Sequence, residues 1–179
     1  MAPHTFVAYV EDKPGVLNRV SSLFRRRTFN IESLTVGHTD QAGVSRMTIV
    51  VDTDDLGARR VEANLYKLVN VLRVDDVTAQ PTVERDLALI KVAARNGKRT
   101  EVLQLVDIYR ARVVDVTNES LVVEITGTED KIESMVEILR PFGIIEMVRT
   151  GVVSMTRGAT APSANPPLDA AMIPEPALN

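Results

Sequence analysis

The chain has 179 residues, of which 45% are hydrophobic and 25% are charged, and its formal net charge is −3. These proportions are typical of a globular protein with one ordinary domain or two small ones. Because the sequence contains no cysteine, disulfides, thiolate metal sites and a cysteine nucleophile are excluded.

The first half of the chain predicts the order strand, helix, strand, strand, helix, strand. A β-prone run over 5–10 ends at the turn Glu11–Gly15, and a helix begins at Val16. The helix carries its apolar face on Val16, Leu17, Val20, Leu23 and Phe24, and Arg25–Arg27 close it. The remaining predicted segments are strands at Ile31–His38 and Val44–Val51, a loop over Asp52–Gly57, a helix carrying Val61, Leu65, Leu68 and Val69, and a strand at Val71–Val77.

The same order returns after Pro81. Its predicted segments are a strand at Leu87–Ala94, a turn at Asn96-Gly97, a helix carrying Val102, Leu103, Val106 and Tyr109, strands at Val113–Thr117 and Leu121–Thr126, a helix carrying Ile132, Met135, Val136 and Leu139, and a strand at Ile144–Val153. We therefore predict two tandem ferredoxin-like βαββαβ domains of the α+β class, over 1–79 and 80–158. The Pro- and Ala-rich residues 159–179 are predicted to form a flexible tail.

Two helices of a βαββαβ unit pack on one face of its sheet, so the other face needs a polar surface or a cover. Strand Phe6–Val10 is apolar at every position, which predicts burial on both faces. A second copy of the chain is the simplest cover, and we expect a homodimer.

The turn Glu11–Leu17 is the strongest candidate for a binding site. Gly15 allows close approach of a ligand, and the amides of Gly15, Val16 and Leu17 are expected to be unpaired at the positive end of the helix dipole. That end suits a carboxylate, and Asp12 beside it suits an ammonium group, so the turn matches a free amino acid. The alternative is a capped strand–helix turn that binds nothing.

Asn30 precedes the second strand, and its amide can bind either charge of a zwitterion; it can equally be a turn residue. The other polar candidates are weaker. The two histidines, His4 and His38, lack a patterned carboxylate partner, and each is predicted to be exposed or incidental. Arg25–Arg27 can contact phosphate or be a solvated helix end, and the adjacent acid pairs Asp54-Asp55 and Asp75-Asp76 are expected to be solvated.

Several classes of function are excluded or disfavoured by pattern. Basic and acidic residues are balanced along the chain and aromatic residues make up only 4%, which argues against a nucleic-acid partner. No apolar run reaches the length of a membrane helix and no secretory signal is visible, so we expect a cytoplasmic protein without a membrane partner. No phosphate-binding glycine loop, nucleophile elbow or metalloprotease motif occurs.

Glu11–Leu17 resembles the ligand turn of ACT domains, which bind amino acids and regulate metabolic enzymes. Asn30–Val36 followed by Ser45–Val50 is similar to the small, regulatory subunit of acetolactate synthase, also called acetohydroxyacid synthase. The resemblance covers residues 4–158 and both repeats. Further matching stretches are Leu65–Leu72, Glu84–Lys91, Val114–Thr117 and Ser154–Gly158.

The resemblance implies a non-catalytic subunit that activates a large subunit and confers feedback inhibition by valine or another branched-chain amino acid. The large subunit would carry thiamine diphosphate, FAD and magnesium, and this chain would hold no cofactor or metal. By motif position, Asp12, Gly15, Val16 and Leu17 of one chain and Asn30 and Ile31 of its partner would bind the effector. Val16 and Ile31 would contact the isopropyl group of valine.

Other classes of function remain open on the residues alone. RNA-recognition modules share this order of elements but need exposed aromatic residues on their central strands, and the run Ser45–Val51 has none. A small stand-alone enzyme would need an acid–base–nucleophile set, which we do not find. An ACT regulator of a different metabolic enzyme is the most serious alternative.

Overall fold

The computed structural model describes residues 2–95 and 97–158 and divides the chain into two compact units. Within the described residues, the first unit comprises 2–83 and 154–158, and the second comprises Glu84–Val153. The prediction of two α+β, ferredoxin-like units with antiparallel sheets is confirmed. The boundaries 1–79 and 80–158 stay predictions, and the predicted tail, 159–179, lies outside the described residues.

The first unit is a four-stranded antiparallel sheet with two helices. Its strands lie in the order β2-β3-β1-β4, so β2 and β4 form the edges. In chain order its elements are β1 (Ala2–Glu11), α1 (Val16–Arg26), β2 (Ile31–His38), β3 (Val44–Thr53), α2 (Asp55–Leu65) and β4 (Val71–Asp76). The longest ladder joins β1 to β3 in continuous register, from Ala2 opposite Thr53 to Glu11 opposite Val44.

The core of the first unit lies between its helices and one face of its sheet. Alternate β1 residues, Phe6, Ala8 and Val10, point into it because successive strand side chains take opposite faces. The apolar stripe of α1 meets them, as the helical spacing predicts. The other buried members of this core include Met47, Ile49 and Val51 of β3, Val61 and Leu65 of α2, and Val74 of β4.

The opposite face of the first sheet is polar and is largely buried within a single chain. The ring of Tyr9 lies between two guanidinium groups, 5.9 Å from Arg46 and 5.8 Å from Arg73. Arg73 pairs with the buried carboxylate of Asp75 at 2.8 Å, and Arg46 donates to the carbonyl oxygen of Ser154. The predicted burial of β1 on both faces is therefore confirmed, while the homodimer stays a prediction.

The second unit repeats this architecture in the strand order β6-β7-β5-β8. Its elements are β5 (Thr82–Ala93), which begins in the first unit, α3 (Arg99–Ile108), β6 (Arg112–Val116), β7 (Ser120–Gly127), α4 (Glu129–Leu139), a 3-10 turn at Arg140–Phe142 and β8 (Ile144–Arg149). A final strand, β9 (Val153–Thr156), pairs with β5. No helix in the described part of the chain has the length and hydrophobicity needed to span a bilayer.

Several predicted bounds are wrong; β5, for example, begins at Thr82 rather than at Leu87. The loop predicted over Asp52–Gly57 is replaced by the end of β3 and the start of α2, because the Asp54 carboxylate accepts the Gly57 N–H at 2.7 Å and caps the helix. At its other end, α2 stops at Leu65, and the predicted helical residues Leu68 and Val69 follow it.

The single strand predicted at Ile144–Val153 is instead two strands, β8 and β9. Gly151 has a φ of +86°, a conformation that an extended strand cannot contain. In the preceding turn, Asn96 of the predicted pair Asn96-Gly97 lies outside the described residues. Gly97 itself is in a turn, as predicted.

Candidate functional site

The start of α1 lies at the end of β1, where the chain reverses over residues 12–15. Gly15 is the N-cap residue with a φ of +85°, in the left-handed region. A Cβ at this position would meet no atom within 4 Å, so the space above the glycine is open. The helix has no side-chain cap and no acidic residue in its first turn, which leaves the positive end of its dipole uncovered.

Backbone amides at this helix start are partly available. Within the described residues, the N–H groups of Gly15 and Leu17 have no acceptor. The Val16 N–H donates to the Lys13 carbonyl oxygen at 3.3 Å, so the expectation that it is unpaired is wrong. The tight turn over 13–16 brings that carbonyl under the helix start. Two predicted donors therefore remain free to bind an anion.

The two side chains that open α1 point in different directions. Val16 is only 4% exposed and packs in the core, whereas Leu17 is 44% exposed. Burial disfavours the expected contact between a ligand and the Val16 side chain, which stays a prediction. Helix geometry turns consecutive side chains about 100° apart, so only one of them can face the turn. Leu17 is the side chain available to an apolar ligand group.

Asp12 has a partner that the sequence interpretation missed. Its carboxylate oxygen Oδ2 lies 3.2 Å from His38 Nδ1. His38 is exposed, as predicted, but the expectation that it lacks a carboxylate partner is wrong. The strand pairing explains the contact, because His38 lies opposite Ser45 at the same end of the sheet as Glu11 opposite Val44. Asp12 is half-exposed at this mouth, and its other carboxylate oxygen is open to a cation.

A second polar cluster, around the Glu11 carboxylate, contacts the turn. Asn70 donates through Nδ2 to the Glu11 carboxylate, and its Oδ1 accepts from Arg19 at 2.8 Å. Lys13 Nζ lies 3.2 Å from the same carboxylate. The pKa of Glu11 is lowered, first by the hydrogen bond from Asn70 and further by Lys13 and Arg19, against the opposing effect of burial. Ionised Glu11 therefore binds both Asn70 and Lys13, which fixes the turn in place.

Asn30 and Ile31 lie at the start of β2. The Asn30 side chain is exposed and donates to the Glu32 carboxylate. Ile31 is half-buried and packs against the edge of the first core. An exposed amide and a partly exposed aliphatic side chain are thus presented together at the edge of the sheet.

Within one chain, these two groups of predicted residues do not meet. Ile31 is opposite Val51 and Glu11 is opposite Val44, so the start of β2 and the end of β1 lie at opposite ends of β3. At about 3.3 Å per residue, the interval from Val44 to Val51 along β3 places the two groups roughly 23 Å apart. A single chain therefore presents two half-sites.

His4 is the second histidine whose interpretation is corrected. Its Nδ1 lies 3.5 Å from Asp76 Oδ2 and its Nε2 lies 3.7 Å from Asp55 Oδ1. The Asp55 carboxylate is exposed, as predicted, whereas that of Asp76 is partly buried. Both approach a largely buried imidazole, because the start of α2 and the end of β4 flank β1. Within residues 2–95 and 97–158, no group of three or more histidine or acidic side chains has the arrangement of a metal site.

Two family models match the chain, one in each half. The model described as an AHAS small subunit-like ACT domain matches residues 6–73. The model described as the small subunit of acetolactate synthase matches residues 85–158. The first match contains both half-sites, the turn after β1 and the start of β2.

Curated relatives and a solved structure agree with these models. A probable acetolactate synthase small subunit from Archaeoglobus fulgidus is 50% identical over 155 residues, which are 87% of this chain and 97% of the relative. The acetolactate synthase small subunit of Mycolicibacterium smegmatis is 50% identical over 87% of this chain and 91% of the relative. The crystal structure of the acetolactate synthase small subunit from Thermotoga maritima superposes with a TM-score of 0.84 at 39% identity, covering 89% of this chain and 100% of that one.

Proposed function

The chain belongs to the family of acetolactate synthase small subunits, which places it in branched-chain amino acid biosynthesis. From that premise we propose that it is the regulatory, non-catalytic subunit of an acetolactate synthase. Its partner is the catalytic large subunit, which carries thiamine diphosphate, FAD and magnesium. This chain activates the large subunit and makes it sensitive to feedback inhibition by valine or another branched-chain amino acid.

The observation that carries the effector site is the uncapped start of α1 beside Asp12. The effector carboxylate accepts hydrogen bonds from the free amides of Gly15 and Leu17, aided by the helix dipole. The ammonium group binds the oxygen of Asp12 that faces away from His38. The isopropyl group of valine contacts Leu17, which is exposed, rather than Val16.

The separation of the half-sites supports a site built by two chains. Strand β2 is an edge strand of the first sheet, and an edge strand is a natural place for another strand to pair. If two copies of β2 pair antiparallel about a two-fold axis, the start of one β2 lies beside the end of the other. The end of β2 is His38, which contacts Asp12. Asn30 and Ile31 of one chain thereby reach the turn of its partner.

A site shared by two chains makes effector binding depend on their relative placement. An effector that binds one placement more tightly shifts the dimer toward that placement. If the large subunit responds to this placement, a coupling free energy of about 1–3 kcal/mol gives roughly 5–150-fold regulation.

Reconstitution tests the function directly. The large subunit is assayed for acetolactate formation alone, with this chain added, and with both chain and valine present. We expect the chain to raise activity and valine to reverse the increase. No activation of a cognate large subunit would contradict the regulatory role. Activation without any response to branched-chain amino acids would contradict only the effector site.

Mixing two variants tests whether the site is shared. Gly15→Asp damages the turn and Asn30→Ala damages the opposite half-site, so each variant homodimer has two defective sites. A mixed dimer contains one doubly defective site and one intact site. Random mixing should therefore restore valine binding at about a quarter of the wild-type number of sites, as measured by calorimetry. If the site lay within one chain, mixing would restore none.

A further inference from the structure

An open cavity of about 420 Å³ lies between α2 and the segment that joins α1 to β2. Its lining contains three cationic side chains and no carboxylate. The lining residues are Arg27, Phe29, Arg60, Ala63, Asn64 and Lys67. Its volume is within the range of small-molecule sites, and it lies apart from the uncapped start of α1.

The three cationic side chains of the cavity have no carboxylate partner. In the described residues, Arg27, Arg60 and Lys67 make no ion pair. Several other cationic side chains in the described part of the chain are also without an ion pair, but these three line one cavity. Three like charges around one cavity repel one another, and the chain itself supplies no neutralising group. A negatively charged ligand would remove that repulsion.

Asn64 positions one of the cationic side chains, that of Lys67. It is only 8% exposed, and its Nδ2 donates to the Arg60 carbonyl oxygen at 2.7 Å. Its Oδ1 accepts from Lys67 Nζ at 3.2 Å, which holds that ammonium group at the cavity wall. A buried amide whose hydrogen bonds orient a charged group reduces the entropy lost when a ligand binds.

Phe29 gives the cavity an apolar wall. Its half-buried ring packs edge-on against the buried ring of Phe24, with centroids 6.5 Å apart. The cavity thus combines two guanidinium groups, which match phosphate oxygens in paired hydrogen bonds, with a surface for an organic group. We propose that it binds a phosphate-bearing small molecule. This site is independent of the proposed effector site, although Phe29 directly precedes Asn30.

Calorimetry on the full chain, with sodium pyrophosphate as the probe, tests the proposal at physiological ionic strength. The double variant Arg27→Gln/Arg60→Gln should bind at least tenfold more weakly than wild type. Arg59→Gln is the control for the single variant Arg60→Gln, because each removes one positive charge from α2 and only Arg60 lines the cavity. Arg60→Gln should bind more weakly than Arg59→Gln. All three replaced side chains are exposed, so thermal unfolding should be unchanged.

Amide chemical shifts on addition of pyrophosphate provide a second readout, with changes expected at 27–29 and 60–67. Equal affinity in wild type, the double variant and Arg59→Gln would mean nonspecific attraction and would overturn the proposal. Absence of pyrophosphate binding to wild type would also overturn it. If the double variant then lost affinity for the large subunit, the cations would belong to a protein interface instead.

Discussion

The two units share one order of elements, yet the turn before each first helix is different. In the first unit, Gly15 stands at an uncapped helix start with free amides above it. In the second unit, Gly97 has a similar φ, +81°, and an equally open Cβ position. There, however, Arg95 pairs with the carboxylate of Glu119, and Arg99 donates to a backbone carbonyl. The first turn of α3 also contains an acidic residue, Glu101, whereas the first turn of α1 contains none.

The segments that follow the first helix of each unit have similar backbones but different side chains. Both helices end with a non-glycine residue of positive φ, Thr28 at 58° and Arg110 at 51°. In the second unit, Ala111 then leads directly into β6, so no amide side chain stands at the position of Asn30. The two repeats therefore share their backbone geometry here, and they differ in the side chains beside the turn on which the proposed effector site depends.

Placing a carboxylate at each glycine gives the strongest test of this comparison. Gly15→Asp should weaken valine binding roughly a hundredfold, about 3 kcal/mol, because the new charge repels the effector carboxylate. Gly97→Asp imposes the same backbone strain in the second unit and should leave valine affinity unchanged. Calorimetry measures both, and activation of the large subunit should survive in both. Equal loss of valine affinity in the two variants would contradict the difference between the turns.

Truncation of the second half-site should have a smaller effect. Asn30→Ala should weaken valine binding by about 1–3 kcal/mol, because a buried partner loses its hydrogen bond. Glu32→Gln is the control, since it weakens the contact of Asn30 within its own chain but keeps the amide that would reach the effector. Unchanged affinity of Asn30→Ala in calorimetry would remove Asn30 from the site.

Residues of positive φ allow a smaller, purely structural test. Thr28→Gly should raise the free energy of unfolding by up to about 1 kcal/mol, because a β-branched residue is strained in the left-handed region. Arg110→Gly should gain less, since its side chain is not β-branched. Denaturant unfolding of both variants checks the order. A loss of stability in Thr28→Gly would mean that its hydroxyl, which donates to the Arg27 carbonyl at 2.6 Å, outweighs the strain.

The smallest expected effect concerns pH. Because the pKa of Glu11 is lowered in the folded chain, the unfolded chain binds more protons and this group stabilises the fold increasingly as the pH rises. Its contribution is complete above its ordinary pKa of 4.5 and is lost as the pH falls through the lowered value. Asn70→Ala should raise the pKa of Glu11 and flatten this dependence.

An NMR titration of the Glu11 carboxylate, with thermal unfolding at about pH 7 and about pH 3, measures the change. The control is Arg95→Gln in the second unit, which removes an exposed ion pair and should alter stability by less than about 1 kcal/mol. An unaltered Glu11 titration in Asn70→Ala would show that Lys13 and Arg19 suffice.

Local patterns predicted most of the fold. The sequence predicted a strand followed by a helix that begins at Val16, and the structure has β1 and α1 there. The signals were the change of the hydrophobic period at Val16 and the turn residues Pro14 and Gly15. Ile31–His38 was predicted with the observed bounds. The helix start at Asp55 was missed because its signal is a hydrogen bond from Gly57 to Asp54 rather than an apolar period. A capping aspartate three residues before glycine was the available sign.

The candidate site was predictable only where its residues are adjacent in sequence. The turn at Asp12 and Gly15 was visible as a motif, whereas the contacts of His38 with Asp12 and Asn70 with Glu11 join residues far apart in sequence. Such contacts depend on strand register, which a single sequence specifies only after the pairing is known. The same holds for the clustering of Arg27 with Arg60 and Lys67.

The bond from Arg46 to the Ser154 carbonyl matters for experiments that dissect the protein. A fragment ending at Val83 contains every strand of the first sheet, yet it lacks the acceptor for that guanidinium group. The same fragment loses the backbone bond from Arg157 to Pro81. Such a fragment would therefore expose a surface that is covered in the intact polypeptide. Aggregation of the fragment should not be taken as a property of the whole subunit.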